Sequence, residues 1–401
     1  MHLAPCHLSH AADARDGGIA TAVSALLAAQ KAAGLSPGWL TADRFPPRQR
    51  DRTLVAAALA PSSSAPHPAQ RPADLLHLHG LWRSPTRIAP RLAAAGLPLL
   101  IAPHGMLDPG ALAISRRRKQ LVWSLWERRA LQSARCLHAL CPAEAAAIRA
   151  LLPNAPIAVI PNGVALPASA SPGSAPLPPP PWAAAVPPGE PVLLFLGRFH
   201  SKKGLDPLLA AWQAVAAAAE RAGWWLALVG YGDEGALACR VAAAQARGEL
   251  RRLLVLGPVF DADKAAVLEA ASAFVLPSFS EGLPMAALEA MAHRLPCLLS
   301  QHCNLPEAFT TGAALSAPPD PAVLAVVLRQ LFALSTVERA AMGAAGHTLV
   351  AEQFSWPQVA EHTRQLYEWI LGGGCPPAFV DLPDNASATV SGSVRRPHQI
   401  C

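Results

Sequence analysis

The sequence predicts an α/β protein built of two doubly wound domains, and three observations carry that prediction. Short apolar runs of strand length alternate with alanine-rich helical stretches from the first residues to about Val350. One stretch dense in Pro, Ala and Ser, which includes Pro178-Pro179-Pro180-Pro181, interrupts the alternation, after which strand, glycine turn and helix begin again. A chain of 401 residues is also too long for one ordinary core and suits two of roughly 150–200 residues. The reading divides the chain into residues 1–166, a linker at 167–188, residues 189–355, a helix at 356–374 that packs back on the first domain, and a disordered tail at 375–401.

The elements follow in order. Residues His2 to His10 make a ragged first strand that runs into Gly17-Gly18 and an alanine-rich helix from about Ile19 to Ala33. Strand, glycine turn and helix open a doubly wound domain, the glycines letting backbone approach a ligand at the strand's carboxyl end. Residues Arg44 to Pro72 read as an irregular polar insertion. Leu75-Leu76-His77-Leu78-His79-Gly80 alternates as a strand, which puts both imidazoles on one face. They are either metal ligands or hydrogen-bond partners of neighbouring loops.

Leu97 to Ala102 is a further strand and delivers His104, in Pro103-His104-Gly105, to its carboxyl end, where α/β enzymes place groups that handle substrate. The competing assignment is a histidine satisfied inside the core. Ile157–Ile160 leads into Pro161-Asn162-Gly163, and the linker follows.

The second half restarts with the strand Val192–Leu196 and a basic, glycine-bounded turn from Gly197 to Gly204. Arg198 and Lys203 flank the end of that strand; an arginine can fork two phosphate oxygens, and a lysine acts as a point charge. A helix from Leu208 to Arg221 and strands at Trp225–Val229 and Leu253–Leu256 lead to the stretch Phe274–Glu289. There a short strand ends in a turn holding Glu281 and Gly282, and Pro284 stands at a helix start, with unpaired N–H donors expected from Met285 onward. Glu289 lies between one and two turns inside that helix. Two carboxylates beside an anion-binding helix start suit a sugar nucleotide, whose hydroxyls want acceptors and whose diphosphate wants donors. A loop glutamate and a solvent-facing helix glutamate remain the plain alternative.

Composition narrows the function classes. Hydrophobic residues make up 52% of the chain and charged residues 15%, which is globular composition. The net charge of +6 is modest. It concentrates at Arg116-Arg117-Arg118-Lys119, beside Trp123 and Trp126, so the expected partner is a local anion or anionic membrane surface and not nucleic acid. A solvated helix face is the competing account of that stretch. The eight cysteines form no CxxC pair, so neither a zinc site nor a disulfide framework is expected. With no signal-peptide pattern and no apolar run of about 18 residues, the expected location is cytoplasmic, either free or peripheral at the inner face of the membrane.

Glu281-Gly282-Leu283-Pro284-Met285-Ala286-Ala287-Leu288-Glu289 resembles the E-x7-E signature of retaining glycosyltransferases of the GT-B fold, in particular family 4, the glycosyltransferase group 1 enzymes. Gly17-Gly18, Pro103-His104-Gly105, Pro161-Asn162-Gly163, Gly197-Arg198, Lys203-Gly204 and Asn304-Leu305-Pro306-Glu307 stand in the same order as in that family, so the resemblance extends from Gly17 to about Leu371. The segments around His79 and His104 are similar to members that build bacterial surface polysaccharides.

The resemblance implies two Rossmann-like domains facing across a cleft, a nucleoside-diphosphate sugar as donor, and a glycan or lipid-linked glycan as acceptor. It implies no cofactor and no metal, with Arg198 and Lys203 neutralising the diphosphate. Glu289 is implied to accept from the ribose hydroxyls, and Glu281 to hold hydroxyls of the sugar. Gly282, Leu283, Pro284 and Met285 are implied to meet sugar and phosphate through backbone, His104 to reach the sugar, and Gly17, Gly18 and Gly197 to leave room. Retention without a placed nucleophile implies front-face attack, with the departing phosphate deprotonating the acceptor hydroxyl; Glu281 as a covalent nucleophile is the competing mechanism. A nucleotide-sugar epimerase or hydrolase of the same fold, or a non-catalytic sugar-nucleotide binder, stands as the alternative.

Overall fold

A computed structural model describes residues 3–12, 18–60, 73–167, 176–372 and 374–383. The chain divides into two units, one taking it up to Gly163 and again from Trp356, the other running from Val164 to Ser355.

The first unit holds seven strands among the described residues: β1 (Pro5–Ser9), β2 (Gly38–Thr41), β3 (Leu75–His79), β4 (Leu99–Ala102), β5 (Cys136–Ala139), β6 (Ile157–Val159) and β13 (Val380–Asp381). Their order across the sheet is β13-β6-β5-β4-β3-β1-β2, parallel except for β13. Chain order reverses between β1 and β3, where His7 is registered against His77. Leu76, Leu78, Leu99, Ile101 and Leu137 fill one side of this sheet. Leu75, Leu100 and Ala158 fill the other, against Val359, Leu366 and Tyr367 of the helix Trp356–Ile370. That helix has a strongly one-sided apolar pattern, so its burial on the sheet supplies most of its stability. Gly163 has to be glycine because a Cβ there would run into the Trp356 ring.

The second unit holds β7 (Val192–Arg198), β8 (Trp225–Tyr231), β9 (Leu253–Leu256), β10 (Ala273–Leu276), β11 (Cys297–Leu299) and β12 (Ala314–Ser316). All are parallel, in the order β12-β11-β10-β7-β8-β9. Strands buried on both faces need continuous apolar runs, and Val192–Leu196 and Phe274–Leu276 are such runs. Helices cover the sheet through Trp212 and Phe332, which meet edge-on with 5.8 Å between ring centroids, and Trp224, just before β8, stacks on Phe332. Chain order reverses between β7 and β10, the switch point at which open α/β sheets bind ligands.

Several expectations need correction. The proline-rich stretch is not merely a linker: Trp182 and Val186 are buried in the core of the second unit, because a large indole outweighs the surrounding prolines; residues 168–175 lie outside the described part. The tail is not wholly disordered, since Val380 and Asp381 pair with Ala158 and Ile157, and Arg149 meets the Asp381 carboxylate at 2.6 Å; residues 384–401 lie outside the described part. The insertion after Arg44 carries a helix, Arg50–Leu59, that buries Leu54 and Ala58. Leu208 to Arg221 is two helices, Leu205–Ala214 and Ala216–Arg221. Among the described residues no single helix is long and apolar enough to cross a membrane.

Candidate active site

In the second unit the site is built where β7 and β10 end side by side. On the other side of β7, Gly230 of β8 leaves no room for a side chain, since a Cβ there would strike the Gly197 carbonyl. The chain then turns through Ser201–Lys203, and the His200 ring accepts from the Lys202 N–H at 3.2 Å. Gly204 closes the turn at φ +70, against the Pro277 carbonyl of the neighbouring loop. The Phe279 N–H donates to the Lys202 carbonyl at 2.7 Å and joins the two loops.

Lys203 and Glu281 meet across this junction, Nζ lying 2.7 and 2.9 Å from the two carboxylate oxygens. Glu281 is fixed at every polar group. Its N–H donates to the His302 carbonyl at 3.0 Å, its carbonyl accepts from Asn304 Nδ2 at 2.5 Å, and its carboxylate also accepts from the Ser278 hydroxyl. Ser278 is itself held, its carbonyl accepting from the Ser300 hydroxyl at 2.5 Å. The Glu281 side chain keeps 10% exposure, enough for a ligand's hydroxyl to reach an oxygen and too little for it to move freely. Asn304 bonds Glu281 from the left-handed backbone region, φ +53, a conformation asparagine tolerates better than most residues.

Other expected residues are placed separately. Arg198 ends β7 exposed, its guanidinium 5.5 Å from the centre of the Tyr231 ring, apart from the Lys203–Glu281 pair. Glu289 lies inside the helix Met285–Ala292 and pairs with Lys264, 2.5 Å away. Gly282 is exposed with open space around a would-be Cβ, and Leu283 packs against the core. Gly18 begins the helix Gly18–Ala32 with open space around it, whereas Gly17 lies outside the described residues.

The helix start requires a correction. Pro284 precedes the first helical residue instead of occupying it, and two of the expected free donors are used: Met285 N–H bonds the Leu283 carbonyl at 3.0 Å, and Ala287 N–H bonds the Pro284 carbonyl at 2.9 Å. A tight turn over Pro284 consumes them, which leaves fewer backbone donors here for an anion. Ser278 and Lys264 escaped the sequence reading, as did the exposed rings of Tyr231 and Phe279. Ser278, three positions before Glu281, had a local signal, whereas Lys264 stands 25 positions from Glu289 and had none.

In the first unit His104 follows β4 in the left-handed region, φ +55. Its loop is held by Glu144, which accepts from the Gly105 N–H at 2.6 Å and from the Leu140 N–H at 2.8 Å. Its Nε2 meets His79 Nδ1 at 2.9 Å. Burial, with the neighbouring His138 as a smaller contribution, pushes the His104 pKa down to about 3; that of His79 is held well below the ordinary value. His7, His77 and His79 each place a ring nitrogen within 4.8 Å of one another, close enough to share a metal ion. Every ring nitrogen of the three is already hydrogen-bonded, which favours the second of the two sequence readings.

With this geometry in place, comparison with known proteins gives a consistent answer. Residues 17–163 match the model of the glycosyl transferase 4-like domain, and residues 190–333 that of glycosyl transferases group 1. The chain is 36% identical over 111 residues to an MMP alpha-(1->4)-mannosyltransferase of Mycolicibacterium hassiacum, 27% of each chain. It is 32% identical over 178 residues to O-antigen chain mannosyltransferase B of Escherichia coli, 44% of this chain and 45% of the relative. It is 31% identical over 186 residues to a phosphatidyl-myo-inositol mannosyltransferase of Mycobacterium leprae, 45% of this chain and 47% of the relative. It thus spans less than half the length of each of these relatives.

In fold it is similar to sucrose-phosphate synthase from Thermosynechococcus elongatus, with a TM-score of 0.68, 21% identity and coverage of 92% and 100% of the two chains. It is also similar to a trehalose-6-phosphate enzyme of E. coli bound with UDP-2-fluoro glucose, with a TM-score of 0.63, 15% identity and coverage of 92% and 99%. Two matched domain models in sequence order, each on its own Rossmann-like unit, establish that the chain belongs to the glycosyltransferase group 1 family, family 4, and has the GT-B fold.

Proposed function

We propose that this protein is a retaining glycosyltransferase that moves a sugar from a nucleoside-diphosphate sugar to a hydroxyl of a glycan or lipid-linked glycan, in the building of a bacterial surface polysaccharide. The observation that carries the reading is the Lys203–Glu281 pair fixed at the switch point of the second unit. A cation and a hydroxyl-accepting carboxylate at one strand junction match the two halves of a sugar nucleotide.

Lys203 and Arg198 neutralise the diphosphate, Glu281 accepts from hydroxyls of the sugar, and Glu289 releases Lys264 in part to accept from the ribose. His104 supplies an acceptor for a sugar hydroxyl. In the reaction the bond from the anomeric carbon to the phosphate oxygen breaks. The acceptor oxygen bonds that carbon on the same face, and its proton passes to the departing phosphate. Fixed cations stabilise the charge that grows on the leaving group without reorganising, which is the term that most often dominates such catalysis. The diphosphate needs no metal in this scheme.

The acceptor side is read from the first unit. A cavity of about 400 Å³ lies between Trp82, Leu112, Trp123, Arg116 and Lys119, apolar with two cations at its edge. Beside it Ile114, Leu121 and Leu125 are 68%, 59% and 63% exposed, next to the basic run Arg116–Lys119. Exposed apolar side chains among cations suit a lipid-linked acceptor and peripheral attachment at the anionic inner face of the membrane.

The deciding experiment is a thermal-shift panel of UDP-, GDP- and ADP-sugars, with a mannose donor included because the three relatives above are mannosyltransferases. One donor raises the melting temperature through mass action. Lys203→Ala and Glu289→Ala each remove most of that rise. A panel in which no sugar nucleotide shifts the protein, or in which both variants respond like the parent, overturns the reading.

A further inference from the structure

The buried histidines of the first unit form one continuous hydrogen-bonded chain whose direction can be worked out from its fixed end. His138 Nε2 lies 2.7 Å from the Ile160 carbonyl oxygen. A carbonyl only accepts, so this nitrogen carries the proton and, in a neutral ring, His138 Nδ1 is an acceptor. His77 Nε2, 3.1 Å away, must therefore donate to it, which leaves His77 Nδ1 as an acceptor for the Tyr367 hydroxyl at 2.9 Å. With its proton so used, Tyr367 accepts from Gln30 Nε2 at 3.1 Å, and Gln30 Oε1 faces His7 Nε2 at 2.9 Å. That amide orientation forces His7 Nε2 to donate and His7 Nδ1 to accept. His79 Nε2, 2.9 Å from His7 Nδ1, is then the donor, and His79 Nδ1 accepts from His104 Nε2 at 2.9 Å.

We infer that the Ile160 carbonyl, acting through His138, His77, Tyr367, Gln30, His7 and His79, fixes His104 in the Nε2–H form and leaves its Nδ1 as a lone-pair acceptor. The ligand that His104 takes is accordingly a hydrogen-bond donor, a hydroxyl and not a phosphate or carboxylate oxygen. Among the described residues Nδ1 has no partner of its own. The remaining links are positioning residues, since none of them needs to touch a ligand. Neutrality of every ring is supported by burial, which lowers all five histidines, His7 and His138 to about 4. Reversing the His7–His79–His104 segment turns the Gln30 amide over and leaves His77 Nδ1 without its donor. One lost buried hydrogen bond favours the stated form by on the order of tenfold or more.

The identification of the ligand as a sugar hydroxyl rests on the glycosyltransferase reading; the tautomer does not. Protein labelled with ¹⁵N-histidine is therefore studied by long-range ¹H–¹⁵N correlation, with the His104 signals assigned by their loss in His104→Gln. The parent is expected to show a protonated Nε2 and an unprotonated Nδ1 at His104. Tyr367→Phe removes the hydroxyl link and Gln30→Met removes the amide link, the second serving should the first not fold. Either cut lets His104 populate the other form, while His138, on the anchored side, keeps Nε2–H. A protonated Nδ1 at His104 in the parent, or a single unchanged form in every folded cut variant, overturns the inference. The spectrum decides the tautomer whether or not a sugar nucleotide binds, so its failure and failure of the donor reading are told apart.

Discussion

Lys203 sits within reach of Glu281 because the residue after it has no side chain. A Cβ at Gly204 would run into the Pro277 carbonyl, and the backbone there is at φ +70, where an L-residue is strained whatever space it has. Gly204→Ala is expected to cost about 2–4 kcal/mol, read as a lower urea midpoint at unchanged slope, and to abolish the donor-induced thermal shift with it. An alanine variant with parental stability would mean that the loop after β10 yields freely and that the two loops do not fix each other. At this scale the residue types were legible in the sequence but their partners were not. Lys203 and Glu281 are 78 positions apart and meet only because β7 neighbours β10. Glu289 stood out by its spacing, whereas Lys264, on the preceding helix, did not. His77 and His79 were legible from strand alternation, but His7, His138 and Tyr367 join them from three other elements, and no local pattern links those.

Elements were more legible, because hydrophobic period and punctuation are local. Strands such as β3, β4, β7 and β10 fall where apolar runs meet Gly or Pro, and the helix Trp356–Ile370 falls on a clear one-sided pattern. By contrast β2, β5 and β12 drew no expectation, and β13 lies in the stretch read as a disordered tail. Misplacements trace to competition: a buried Trp182 overrides proline-rich composition, and a turn over Pro284 uses the N–H groups that a bare helix start would offer. The segment from Pro109 to Gln132 is the element whose surface is hardest to account for inside a soluble fold, since Ile114, Leu121 and Leu125 stay exposed beside Arg116, Arg117 and Arg118. If it attaches to anionic lipid, the protein co-sediments with vesicles containing phosphatidylserine and not with neutral ones, and the binding weakens as salt rises. Leu121→Ser with Leu125→Ser is expected to cut that binding several-fold. Both side chains are solvent-exposed, so the melting temperature should barely change. Equal sedimentation with neutral and anionic vesicles would remove the anionic surface from the proposed function, and none with either would remove membrane attachment.

At the scale of the whole molecule the repeat of strand, glycine turn and helix announced two domains, but not their strand orders, because crossovers between parallel strands leave no mark on composition. Those orders matter for more than the site. In the first unit the reversal between β1 and β3 gathers His7, His77 and His79 in the interior, and β4 and β5 add His104 and His138; the histidines of the second unit, among them His200 and His302, are not buried. The two units should therefore respond differently to acid. Each buried histidine is held below the ordinary value of 6.5 by burial, to about 4 for His7 and His138, about 3 for His104, and well below 6.5 for His77 and His79. A lowered folded-state pKa means that the unfolded chain binds the proton first. The stability these rings permit is complete above pH 6.5 and is lost as pH falls from there toward 4, at up to about 1.4 kcal/mol per pH unit for each ring. Glu127 and Glu144 of the same unit act in the opposite sense, because burial raises their carboxyl groups, Glu127 to about 7, so that they take up protons in the folded state and offset part of this loss. With five rings against two carboxyls, the first unit is still expected to open between pH 6.5 and 5 while the second persists. Limited digestion with an acid-active protease at pH 5, followed by mass spectrometry, then yields a resistant fragment close to residues 164–355 and cuts concentrated on both sides of it. At pH 7.5, with a neutral protease, both units resist alike. Simultaneous loss of the two units on acidification, or earlier loss of the second, would show that the buried histidines do not control the acid stability of the molecule.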